Sequence, residues 1–125
     1  MNKEFIPYEQ ALELKELGFD EPCFGFYIAN QLFVTSDTVY NSSDIPVCKA
    51  PLYQQAFRWF KEKYNIFSCI MTEYSYGGHI SAYHINGVRQ SNISKGDYKS
   101  YEEAELACLI KLIEIVKTLW IKKNI

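Results

Sequence analysis

The sequence predicts an α+β protein: one domain over residues 1–125, a mostly antiparallel sheet built from hairpins, and three helices, in the order α-ββ-α-ββ(β)-α. Three observations carry this. Three stretches place apolar residues at three- and four-residue spacing, each behind a helix-start signal. Between them lie aromatic and β-branched runs separated by turn dipeptides, of which Gly77-Gly78 and Asn86-Gly87 are the clearest. Finally, 48% of the residues are hydrophobic, 16% are aromatic and 22% are charged, enough apolar surface for a core without metals or disulfides.

The first helix is predicted over Pro7 to Leu17, because proline suits a first helical position where its missing N–H would be unpaired anyway. Tyr8, Ala11, Leu12 and Leu14 supply its apolar side. Gly18 suits the left-handed residue that ends a helix, with Phe19 folding back as in a Schellman cap. Cys23 to Ala29 reads as an aromatic strand, Asn30-Gln31 as a two-residue turn, and Leu32 to Thr35 as its return. Ser36 to Lys49 reads as a polar loop, with a short edge strand near Thr38 to Tyr40.

A second helix opens at Pro51 and runs to about Tyr64, with Tyr53, Ala56, Phe57, Phe60 and Tyr64 on one face and Leu52 and Trp59 widening it. Ile66 to Tyr76 and His79 to Asn86 form a hairpin across Gly77-Gly78. A two-residue loop there sets Tyr76 opposite His79, Tyr74 opposite Ser81 and Ile70 opposite Ile85. Phe67, Cys69, Met71, Ile80 and Ala82, with Glu73 and His84, then share the face assigned to the core. Val88 to Lys99 reads as a polar connection with at most one short strand. Ser100-Tyr101-Glu102-Glu103 matches the capping box, and the helix it opens is expected to reach about Lys122. Its acidic start and basic end both complement the helix dipole.

Charge and cysteine usage narrow the function classes. The formal net charge is −2, from 13 basic and 15 acidic residues, so the global basic excess common in nucleic-acid binders is missing. Cys23, Cys48, Cys69 and Cys108 are widely spaced, with no Cys-x-x-Cys pair, and are expected as reduced, mostly buried thiols. The N-terminus has no apolar signal core, and the apolar stretch Leu106 to Ile121 is interrupted by Lys111, Glu114 and Lys117. A soluble, cytoplasmic protein without membrane contact is the expectation.

No catalytic, metal-ligating or cofactor-binding pattern stands out. Gly77-Gly78 lacks the helix and lysine of a phosphate loop. The one arrangement with catalytic chemistry is Cys69, His84 and Glu73 on one hairpin face, where an imidazole beside a thiol favours the thiolate. Structural roles suit these residues better, so no catalytic residue, metal or cofactor is assigned.

Two binding readings follow. The last helix carries more apolar residues than one face of a surface helix requires, from Leu106 through Ile113 to Trp120 and Ile121. That excess implies burial on two sides, either centrally within the fold or through an interaction surface for an unknown protein, a homodimer being one form, and the ten tyrosines add to the second reading. Its candidates are Tyr74, Tyr76, His79, Tyr83, Ile113 and Trp120. The alternative is nucleic acid. Helix, strands and helix over residues 51–117 resemble the topology of a double-stranded-RNA-binding domain, and Arg58, Lys61, Lys63, Arg89, Lys95 and Lys99 are the candidate basic patch. That family has lysines at the start of its last helix, where this chain has Glu102, Glu103 and Glu105, and carboxylates repel phosphate.

Four segments, Lys3-Glu4-Phe5-Ile6-Pro7-Tyr8-Glu9-Gln10-Ala11-Leu12, Phe19-Asp20-Glu21-Pro22-Cys23-Phe24, Gln55-Ala56-Phe57-Arg58-Trp59-Phe60 and Tyr101-Glu102-Glu103-Ala104-Glu105-Leu106-Ala107-Cys108-Leu109, resemble a group of small proteins of no assigned function encoded by phages and prophages of gut Bacteroidetes. The resemblance implies a setting: an accessory protein acting in the cytoplasm of a bacterial host through contacts with host or phage proteins.

Overall fold

The computed structural model describes residues 2–34, 48–75, 78–87 and 90–123 and, within them, all side chains except those of Asn2, Ser75, His79, Gln90, Ser91, Trp120, Lys122 and Lys123. The architecture is α+β, with three α-helices and two three-stranded antiparallel sheets in the predicted order. Met1–Ala56 and Phe57–Ile125 form two compact units, the boundary falling inside the second helix.

In the first unit a short 3-10 turn, Asn2–Glu4, precedes helix α1, Tyr8–Glu16. The predicted Schellman cap is present: Phe19 N donates to Leu14 O at 2.9 Å and Gly18 N to Lys15 O at 3.1 Å, with Gly18 at φ 99°. Phe19 and Leu14 are both buried, which supplies the apolar contact such caps favour. Strands β1 (Gly25–Ile28), β2 (Gln31–Val34) and β3 (Cys48–Ala50) form a sheet in the order β2-β1-β3. Central β1 buries Phe26 and Tyr27, and the Tyr27 hydroxyl donates to the Ile6 carbonyl at 2.7 Å. A Cβ on Gly25 would lie 2.8 Å from Phe5 Cε1, so this close approach requires glycine.

Two expectations shift here. The turn is Ala29-Asn30 rather than Asn30-Gln31, since Ile28 pairs with Gln31 and Ala29 takes the positive φ of 55°. Cys48 and Lys49, read as loop, belong to β3, whose pairing with β1 buries Cys48 and Ala50. A strand this short has no periodicity to detect. The edge strand near Thr38 to Tyr40 lies outside the described residues.

Helix α2, Tyr53–Tyr64, crosses into the second unit, burying Tyr53, Ala56, Trp59 and Phe60. Left-handed Asn65 (φ 57°) closes it, donating its N–H to Lys61 O at 3.0 Å. Strands β4 (Ile66–Ser75), β5 (Gly78–Gly87) and β6 (Gln90–Tyr98) make the second sheet in that spatial order. Helix α3, Tyr101–Lys123, packs on it, most heavily on β5. Its start is the predicted capping box: Glu103 N donates to Ser100 Oγ at 3.1 Å, and Lys99 N donates to Glu103 Oε2 at 3.2 Å.

The hairpin differs from expectation in two ways. Its register pairs Tyr74 with His79, Thr72 with Ser81 and Ile70 with Tyr83, a two-residue shift along β4. An even shift leaves each side chain on its own face. The covered face, however, is the other one: Ile66, Ser81, Tyr83 and Ile85 are buried, while Phe67, Cys69, Met71, Glu73 and Ile80 are exposed. The Cys108 thiol of α3 lies beside the Ser68 hydroxyl, placing α3 on the Ile66–Ser68–Ile70 side. Residues 90–98, read as a polar connection, form a full strand: β6 is held by its ladder to β5, which does not require apolar side chains.

Candidate interaction surface

The uncovered face of the second sheet is the feature that departs furthest from an ordinary solvated surface. Register sets Phe67 opposite Asn86, Cys69 opposite His84, Met71 opposite Ala82 and Glu73 opposite Ile80, all on the side away from α3. Adjacent strands lie about 4.8 Å apart and alternate residues about 6.6 Å apart, so Phe67, Cys69, Met71, Ala82 and Ile80 are contiguous. Phe67 is 50% exposed, Met71 42% and Ile80 37%. Together they expose roughly 300 Å² of apolar surface, a size at which patches on soluble proteins are often functional. Polar groups bound the patch: Glu73 opposite Ile80 at one end, Asn86 opposite Phe67 at the other, and on β5 His84, whose Nδ1 pairs with Ser94 Oγ at 2.5 Å.

The residues expected to form the interaction surface divide three ways. Tyr83 (4% exposed) and Ile113 (2% exposed) are buried in the second unit and offer no surface, because they lie between the sheet and α3. Tyr74 has the same strand parity as Ile70 but is 85% exposed. Tyr76 and the side chains of His79 and Trp120 lie outside the described residues. The surplus apolar residues of α3 are largely accounted for by burial: Ala104, Cys108, Leu109, Leu112, Ile113, Ile115 and Val116 are enclosed, leaving Ile110 and Ile121 exposed.

The Cys69, His84 and Glu73 grouping is not assembled. Cys69 does face His84 across the strands, but Glu73 is two pairings further along, about 13 Å away by strand rise. Cys69 is exposed rather than core, and it is the thiol most open to alkylation. Burial pushes the Cys23 and Cys108 thiols up to about 12 and raises that of Cys48. Among the described residues no three His, Cys, Asp or Glu side chains gather as a metal site, and no helix is long and apolar enough to cross a membrane.

Arg58, Lys61, Lys63, Lys95 and Lys99 are exposed, but several of them lie beside acidic or aromatic side chains. Arg58 Nε lies 3.9 Å from Glu62 Oε1, and Lys63 Nζ sits over the Trp59 ring, 5.0 Å from its centroid. Lys95 lines an open groove of about 400 Å³ between β5, β6 and α3. That groove also holds the stacked Tyr83 and Tyr98 rings and the Lys111–Glu114 ion pair at 3.2 Å. Lys99 stands beside exposed Glu102 and Glu103, and Arg89 lies outside the described residues.

At the α3 start, burial first and the Glu102 charge second raise the Glu105 carboxyl from 4.5 to about 7. Between those values the folded chain holds a proton that the unfolded chain releases, so this group's contribution to stability falls as pH rises through the window. Glu105→Gln is therefore expected to match the parent near pH 4 and to exceed it at pH 8 by about 1–2 kcal/mol, after discounting for solvent screening. Urea unfolding at the two pH values checks this, and an equal difference at both would remove the assignment.

The patch residues are legible in the sequence as apolar, and the structure places them on the solvent side rather than on the expected core side. A signal did exist. Ser68 and Ser81 are small residues on the covered face, Ser68 lying beside Cys108 of α3, and small side chains let a helix lie close to a sheet. No known protein family, curated protein or solved structure matches this chain.

Proposed function

We propose that this chain is a small phage-type accessory protein that acts in the cytoplasm of a bacterial host by protein–protein contact, without catalysis, through the outer face of the β4-β5-β6 sheet. The observation that supports this reading is the contiguous exposure of Phe67, Met71 and Ile80 on a rigid sheet face backed by α3. Apolar area on a preordered surface, rimmed by Glu73 and His84, is the composition of an interface core with a polar rim. Among the described residues, β4 and β5 contribute no lysine or arginine to that face, and a nucleic-acid site relies on such phosphate-neutralising cations.

Tagged parent protein and the Ile80→Lys variant, both passed through host lysate after nuclease treatment, test the reading. Ile80 sits on the central strand, so a lysine there changes the patch and leaves the fold in place. A protein captured by the parent is expected to be lost from the variant, a weakening of at least about tenfold. Capture that ignores Ile80→Lys, or that disappears with nuclease, would overturn it.

A further inference from the structure

The two edges of the second sheet are built differently. A strand edge presents unpaired N–H and C=O groups, and proteins guard such edges with charges, bulges and irregular backbone. Strand β6 is guarded. Its register to β5 shifts twice, between Ser81 and Tyr83 and between Ile85 and Gly87; Asp97 sits at φ 70°, and Lys95 is exposed. Strand β4 has neither a bulge nor a positive-φ residue. Its ten residues pair with β5 without a break, from Ile66 opposite Gly87 to Ser75 opposite Gly78. It contains no proline or glycine and one charge, Glu73.

Resting on the interaction reading above, we propose that the partner at this sheet is a second copy of the chain, paired antiparallel along β4 about a twofold axis. The two sheets then continue as one six-stranded sheet, β6-β5-β4 followed by β4-β5-β6 of the copy. An antiparallel strand is complementary to itself, so a twofold closes the contact with no edge left over at β4. Opposed residues in a ladder point to the same face, which puts the axis through a residue rather than between two. With the axis at Ile70, near the middle of the strand, Cys69 faces Met71 of the second copy. Glu73 then faces Phe67 of the copy, and the two Glu73 carboxylates lie about 20 Å apart. The charge pattern therefore permits self-pairing, and the two Phe67–Met71 columns join into one patch twice the size.

Sedimentation equilibrium of the full chain, with folding checked by circular dichroism, tests the pairing. The parent is expected to be a dimer. Cys69→Lys/Met71→Lys, at two exposed positions, sets lysines against lysines across the axis and is expected to weaken dimerisation at least about 100-fold. Cys69→Glu/Met71→Lys sets opposite charges against each other in this register and is expected to restore the dimer. A parent that stays monomeric up to about 0.5 mM, or a double-lysine variant that remains dimeric, would overturn the proposal. A monomeric parent that still captures a protein through Ile80 overturns the β4 pairing and leaves the interaction reading standing. A charge-sensitive dimer whose capture ignores Ile80→Lys supports the pairing and removes the lysate-partner reading.

Discussion

Phe60→Ala is expected to lower the unfolding free energy by about 3–5 kcal/mol, the largest single effect in the chain. The Phe60 ring is fully enclosed on α2, with the Trp59 ring edge-on at 5.1 Å and the Tyr64 ring tilted at 6.1 Å. Truncation removes the apolar transfer energy of a whole ring and leaves a cavity that neighbouring rings, confined by their own packing, fill poorly. In urea the midpoint should fall by about 2 M. Phe67→Ala is the internal comparison, since that ring is already half in solvent and its loss should cost less than about 1 kcal/mol. Equal costs at the two positions would mean that the exposed face of β4 is covered in solution.

Leu109→Ala carries the second largest effect, about 2–5 kcal/mol, and its neighbour makes the experiment decisive. Leu109 is fully buried and Ile110 is 45% exposed, one helical step away. If α3 lies on the sheet in the orientation described, Ile110→Ala should stay within about 1 kcal/mol of the parent. Chemical denaturation of both variants reads the difference directly. Similar losses at both would require a helix buried on every side, the arrangement that its apolar composition alone suggests.

That contrast shows where the sequence was legible. Features set by a few neighbouring residues were readable in advance. Gly18 and Phe19 cap α1, Ser100 and Glu103 open α3, and the spacing of Tyr53, Ala56 and Phe60 marks the buried side of α2. Each depends on backbone geometry and hydrogen bonds within one turn, so residue type and order suffice. The six-strand content was only partly readable. Strand β6 has a side-chain pattern that is almost wholly polar, and β3 is three residues long, so both rest on pairing with distant residues.

The candidate site depended on a choice the alternation of the hairpin could not make. Both faces of β4 and β5 carry apolar residues: Ile66, Ile70, Tyr83 and Ile85 on one, Phe67, Met71 and Ile80 on the other. A period of two separates the faces without ranking them.

By itself, then, the sequence determined the α+β class, the order of the elements, the helix ends and the division of the hairpin into two faces, because those follow from short-range sterics and hydrogen bonding. Only the tertiary structure decided which of the two faces is buried and which edge is unguarded. The physical reason is that burial belongs to a pair of surfaces: α3, whose Cys108 lies beside Ser68, covers one face and leaves Phe67, Met71 and Ile80 on the other in solvent.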